Sequence, residues 1–263
     1  MNRIEERLQY LKDKKQKAFI TYMTAGLPDM ESTKNIIRAQ EKAGTDIIEL
    51  GVPFSDPIAD GPIIQDASYR SIQNGTNVKK IFQMVKEVRK DCKIPIIFMM
   101  YFNTIHFYGL EAFVEKCIEV GVDGLIIPDL PFEEQEQLTK YMNDENAPIL
   151  IQLVSPVSGN RIQKILKHAR GFVYCVSSMG VTGQAGTFHK DVIHYLEEVK
   201  AESKVPVMMG FGIREANDIA PMKDIIDGAI VGSHFIQVME EGSYDTVVIT
   251  QYCKTFKEEL NRL

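Results

Sequence analysis

Short apolar runs alternate with amphipathic stretches along the whole of this chain, with a period of about 30 residues, the length of one strand–helix unit. The runs are Ala18–Met23, Ile47–Val52, Pro95–Tyr101, Gly124–Pro128, Ile149–Val154, Phe172–Val176, Val207–Gly210 and Ala229–Val231. Most are continuously apolar, as parallel strands covered on both faces must be. Between them, Met30–Lys42, Val78–Lys90, Leu110–Val120, Glu133–Met142, Asn160–His168, Val192–Ala201, Glu215–Lys223 and Thr246–Leu260 carry apolar residues at helical spacing. Gly44 and Gly121 follow helical stretches, where glycine takes the left-handed residue that ends a helix. Pro95, Pro148 and Pro206 precede strands and block helix continuation. Eight such units predict one closed (β/α)8 barrel over residues 1–263, with an extra helix at Arg3–Lys15. An open doubly wound sheet is disfavoured, because the first strand–helix turn, Thr24-Ala25-Gly26-Leu27-Pro28, lacks the G-x-G-x-x-G fingerprint.

Composition removes several function classes. With 30 basic and 36 acidic residues the net charge is −6, without the basic footprint of a nucleic-acid binder. Cys92, Cys117, Cys175 and Cys253 form no C-x-x-C pair, which argues against a zinc ribbon or a disulfide scaffold. The stretch Met1–Leu8 is charged with no apolar segment behind it, and no apolar run approaches the ~20 residues that span a bilayer. A cytoplasmic protein with no membrane association is the expectation.

Barrels of this kind place their chemistry at the C-terminal ends of the strands. Glu49 is a carboxylate inside an apolar strand, where an unpaired charge is costly and a raised pKa suits an acid/base. The other reading is a structural Glu held by a buried partner. Asp56 and Asp60 follow on a loop stiffened by Pro53 and Pro57, and loop aspartates commonly only form turns. The segments Met209-Gly210-Phe211-Gly212 and Val231-Gly232-Ser233-His234 end the last two strands, the second leading into a short helix Phe235–Glu240. That is the common phosphate site of these barrels: glycines admit backbone N–H groups to the oxygens and a helix N-terminus favours the anion. The glycine-punctuated loop Ser177–Gly186 is either a closing lid or filler, and Tyr174 before it either carries a hydroxyl into the barrel mouth or packs in the core.

The segment Glu49-Leu50-Gly51-Val52-Pro53-Phe54-Ser55-Asp56-Pro57-Ile58-Ala59-Asp60-Gly61-Pro62-Ile63-Ile64-Gln65 closely resembles the signature of the tryptophan synthase α subunit family. The resemblance continues through Met100-Tyr101, Gly121-Val122-Asp123-Gly124, Pro128-Asp129-Leu130-Pro131, Gly180-Val181-Thr182-Gly183, Gly210-Phe211-Gly212 and Gly232-Ser233. It implies a TIM barrel that cleaves indole-3-glycerol phosphate into indole and glyceraldehyde 3-phosphate. It further implies an α2β2 complex with a β subunit that alone carries pyridoxal phosphate, this chain needing no metal or cofactor. By the same resemblance Glu49 is the acid/base and Asp60 holds the indole N–H, while Gly183, Gly212, Gly232 and Ser233 contact phosphate. Tyr174 sits beside Glu49, Thr182 anchors the closing loop to Asp60, and Tyr22, Met99, Ile126 and Phe211 line the indole pocket. Two positions depart from the familiar pattern: Ser178 stands where many members carry arginine, and Tyr22 where phenylalanine is usual. A stand-alone indole-releasing lyase, another phosphate-binding barrel enzyme and a catalytically silent partner are the alternative readings.

Overall fold

Nine parallel strands form a single sheet in the computed structural model, which describes residues 1–176, 190–210 and 212–263. They are β1 (Ala18–Thr24), β2 (Ile47–Gly51), β3 (Ile96–Met99), β4 (Gly124–Ile126), β5 (Ile149–Leu150), β6 (Gln152–Val154), β7 (Val173–Cys175), β8 (Val207–Met209) and β9 (Gly228–Val231). Their spatial order is β5-β4-β3-β2-β1-β9-β8-β7-β6. The two ends of that order, β5 and β6, are consecutive pieces of one extended run interrupted only at Ile151. Ile151 N–H still donates to the Leu125 carbonyl at 2.9 Å, so the run continues past β4 and pairs onward with β7. The sheet therefore closes into the expected eight-unit barrel, its fifth strand divided in two.

Around it lie α1 (Arg3–Asp13), α2 (Met30–Ala43), α3 (Pro62–Gln73), α4 (Val78–Val88), α5 (Phe102–Tyr108), α6 (Leu110–Val120), α7 (Glu136–Thr139), α8 (Arg161–Leu166), α9 (Lys190–Glu202), α10 (Ser233–Glu241) and α11 (Thr246–Leu260). Two helices, α3 and α5, fall where the sequence reads as loop or strand end. Pro62 opens α3 at a position where its missing N–H costs nothing. Two expected helices shrink. Glu215–Lys223 becomes a 3-10 segment, Ala216–Met222, because Pro221 removes a helical donor. Glu133–Met142 reduces to a 3-10 turn, Phe132–Glu134, and the four residues of α7, of which only Leu138 is buried, so little packing rewards extension.

Strand alternation divides the interior into two cores. Ile20, Ile47, Ile97, Ile126, Ile149, Phe172, Met208 and Ile230 fill the barrel, together with Ile4, Leu8 and Leu11 of α1. Phe19, Ile48, Leu50, Ile96, Phe98, Val173 and Val207 face the surrounding helices. Helix α1 closes the N-terminal end of the barrel: Arg3 pairs with Asp123 and Arg7 with Asp46, each at 2.6 Å. Gly124 leaves the space that Ile4 occupies, since a Cβ there would stand 2.9 Å from the Ile4 side chain.

One local device recurs three times at this end. Asp46, Asp123 and Asp227 each donate their own N–H to a carbonyl on the neighbouring strand (Phe19, Ile96 and Val207) at 2.9, 2.9 and 2.7 Å. The carboxylate of each accepts the N–H of that same residue, at 2.7, 2.8 and 2.7 Å. A strand start, which would otherwise leave an N–H without a partner, is thereby bracketed from both sides.

Candidate active site

Glu49 follows Ile47 on β2 by two residues, so the pleat turns its side chain into the barrel while Ile48 and Leu50 face the helices. It is 1% exposed, and among the described residues neither carboxylate oxygen has a hydrogen-bond partner. Burial alone pushes the carboxyl up to about 8, because no positive group offsets the lost hydration. The reading of Glu49 as a structural residue held by a buried partner is thus not what the geometry shows.

Tyr22 lies directly opposite Glu49 in the β1–β2 register, with its hydroxyl 3.4 Å from Thr24 Oγ1. Its phenol is pushed up by burial and by the negative charges of Asp60 and Glu49. Tyr174 on β7, also buried, is raised by burial and then by Glu49, Asp60 and Tyr22. Two glycines make room for these rings. A Cβ on Gly51 would stand 2.1 Å from the Tyr22 hydroxyl, and one on Gly210 would stand 2.3 Å from that of Tyr174. Neither requirement is visible from spacing. Met99 pairs in register with Gly51 on one side and Ile126 on the other, continuing the apolar wall.

Asp60 is half-buried on the loop between β2 and α3. Burial pushes its carboxyl up to about 6, against the opposing effect of a hydrogen bond from Tyr101. That bond runs from the Tyr101 hydroxyl to Oδ2 at 3.0 Å, and the same hydroxyl accepts the Ala59 N–H at 2.9 Å. Tyr101 is a residue that sequence reasoning missed as a participant. Its signals in the sequence are its place at the end of an apolar strand and in the Met100-Tyr101 motif, neither of which assigns it a role.

At the ends of β8 and β9, paired neighbours in the sheet, lie Gly212 and Gly232-Ser233. Gly212 adopts φ +69°, a conformation that favours glycine. Gly232 is the N-cap of α10 and Ser233 its first residue, with no side chain capping the helix start. Phe235 N–H bonds the Gly232 carbonyl at 2.9 Å, while among the described residues the Ser233 and His234 N–H groups have no acceptor and could meet an anion. Thr182, Gly183 and Phe211, with Ser178, lie outside the described residues. Among the described residues, no group of three or more His, Cys, Asp or Glu side chains is placed to hold a metal ion. No described helix is long and apolar enough to cross a membrane.

A family model described as "Tryptophan synthase alpha chain" matches residues 8–262. A tryptophan synthase alpha chain of Lachnospira eligens is 63% identical over 263 residues, covering 99% of this chain and 100% of that one. One from Alkaliphilus metalliredigens is 44% identical over 260 residues, covering 99% and 97%. The crystal structure of tryptophan synthase subunit alpha from Legionella pneumophila superposes with a TM-score of 0.90 at 32% identity, over 100% of both chains.

Proposed function

The chain belongs to the tryptophan synthase alpha chain family, whose lyase reaction yields indole in tryptophan biosynthesis, and we propose that Glu49 and Asp60 carry that reaction here. The observation that carries this reading is the buried carboxyl of Glu49 inside the barrel, partnerless among the described residues.

Cleavage of indole-3-glycerol phosphate starts with a proton delivered to ring carbon 3. A carboxyl held up to about 8 carries that proton at neutral pH. The protonated ring is electron-poor at its nitrogen, and the Asp60 carboxylate accepting the ring N–H stabilises the charge electrostatically. Glu49, now a carboxylate, takes the proton from the hydroxyl on the departing carbon. As that carbonyl forms, the C–C bond breaks and its electrons return to the ring, releasing indole and glyceraldehyde 3-phosphate with Glu49 reprotonated. Tyr22, Met99, Ile126, Tyr174 and Phe211 hold the indole. Gly183, Gly212, Gly232 and Ser233 hold the phosphate, far from the bond that breaks, and supply positioning. Thr182 ties the closing loop to Asp60. The reaction needs no metal or cofactor.

The reading extends to the assembly. Residues 1–263 act as one cytoplasmic barrel domain that docks a β subunit, the carrier of pyridoxal phosphate, in an α2β2 complex. Ile58 (85% exposed), Phe107 (93%) and Val157 (81%) follow β2, β3 and β6 at the C-terminal side and supply the apolar docking face.

Indole release followed across pH tests the catalytic assignment. kcat/KM should rise with ionisation of Asp60 at about 6 and fall as Glu49 loses its proton at about 8. Glu49→Gln should lower kcat by at least ~10²-fold with binding retained, and Asp60→Asn by about 10²-fold. Near-normal turnover of Glu49→Gln would sink the assignment.

A further inference from the structure

We propose that Tyr101 is a positioning residue for the lyase reaction, holding the Asp60 carboxylate by one oxygen so that the other faces the indole N–H. The inference rests on the assignment of Asp60 above. The Tyr101 hydroxyl bonds the same short loop twice, donating to Asp60 Oδ2 at 3.0 Å and accepting from Ala59 N–H at 2.9 Å. Two bonds from one phenol fix both the position of the backbone and the rotation of the carboxylate. No other hydrogen bond to that carboxylate occurs among the described residues, which leaves Oδ1 without a competing donor there.

The phenol is itself held from two sides. Its ring stacks on Phe54, with centroids 5.0 Å apart and planes 22° from parallel. The Phe54 N–H in turn donates to Ser68 Oγ at 2.9 Å, which ties the stack to α3. On the chain side, Tyr101 is the N-cap of α5 but supplies no capping side chain. Asp129 does this instead, accepting the Phe102 N–H at 2.8 Å. The Pro128-Asp129-Leu130-Pro131 segment thereby reaches the acid/base loop through Tyr101. Tyr101 is itself 5% exposed, whereas the Asp129 bond lies at the surface.

The position of Asp60 decides the rate because the charge it offsets exists only after the ring is protonated. A carboxylate that must first rotate into place forfeits that stabilisation. The hydrogen bond also favours the ionised form, the form the reaction needs, in a setting where burial disfavours it.

A double-mutant cycle read by indole release tests this. Tyr101→Phe keeps the ring and its stack on Phe54 but removes both bonds. In the otherwise unchanged enzyme, kcat should fall ~10-fold or more, the range for a lost hydrogen bond to a charged group. KM should stay within about threefold, and the acid limb of kcat/KM should move to higher pH as Asp60 loses its donor. In an Asp60→Ala background the same substitution should cost nothing further. An equal loss in both backgrounds would show that Tyr101 acts elsewhere and overturn the proposal, as would an unchanged kcat in the single variant. Full activity of Asp60→Ala alone would instead overturn the assignment of Asp60 itself.

Discussion

Glu49 is buried with both oxygens unpartnered among the described residues, so the feature that suits it to proton transfer also weakens the fold. Its carboxyl is held up to about 8 in the folded protein, against an ordinary value of 4.5. A raised carboxyl keeps its proton after the unfolded chain has lost it, so stability falls as pH rises between those two values and levels off above them. Glu49→Gln has no such titration. Between about pH 4 and about pH 9, its stability relative to wild type should therefore improve by on the order of 4 kcal/mol, at ~1.4 kcal/mol for each pH unit that separates the folded and unfolded carboxyls. Urea unfolding at the two pH values checks this, and a difference that stays flat with pH would show that Glu49 ionises freely. An inactive variant that is the more stable at alkaline pH is the expected signature of an active-site carboxyl kept at a cost to stability.

At the scale of strands and helices, the three aspartate brackets do the same local work in different surroundings. Asp123 is buried and meets both Arg89 and Arg3 at 2.6 Å, with the Arg89 side chain only 9% exposed. Asp227 meets Lys200 at 2.6 Å, but those side chains are 37% and 40% exposed. Removing the first partner strands a buried guanidinium, whereas removing the second frees a lysine that water can solvate. Asp123→Ala should thus destabilise the barrel by about 3 kcal/mol or more, and Asp227→Ala by only about 1 kcal/mol. Denaturant midpoints of the two variants decide this. Equal losses would mean that the backbone bracket, common to both, dominates over the ion pair.

For the whole molecule, the acid/base loop and the start of α5 share one scaffold, since Tyr101 bonds Ala59 and Asp60 and directly precedes α5. A partner docked on Phe107 of α5 and on Ile58, as proposed, would thereby be connected to Asp60. It shifts the population toward the competent arrangement only by its differential affinity, and ~2–3 kcal/mol of bias corresponds to roughly 30–150-fold. Phe107→Asp places a charge in the proposed docking face without touching the site. It should leave the lyase activity of the isolated chain unchanged and weaken the concentration-dependent activation by a β subunit by about 30-fold in affinity, as for a lost interface anchor. Activation titrations of both proteins provide the measurement, and superimposable curves would remove Phe107 from the interface.

Features that depend on neighbours along the chain are legible before any folding is considered. Strand alternation follows from the backbone alone, so Ile47, Glu49 and the intervening Ile48 could be assigned to opposite faces before any coordinates. Glu49 stands out because it is the only acidic residue in any of the eight apolar runs. Helices α6 and α11 begin and end where apolar spacing and their flanking residues place them. The division of the fifth strand at Ile151, the loss of helix at Pro221 and the helical start at Pro62 were harder to read, since packing chooses among locally permitted forms. The chemistry of the site, by contrast, arises only when distant segments meet. The missing partner of Glu49 is a property of every element around it, and Gly51 and Gly210 are small because two tyrosine rings arrive there. Tyr101 meets Asp60 across 41 residues of chain. Periodicity reports which way a side chain points, whereas burial and hydrogen bonding depend on groups brought together only when the barrel closes.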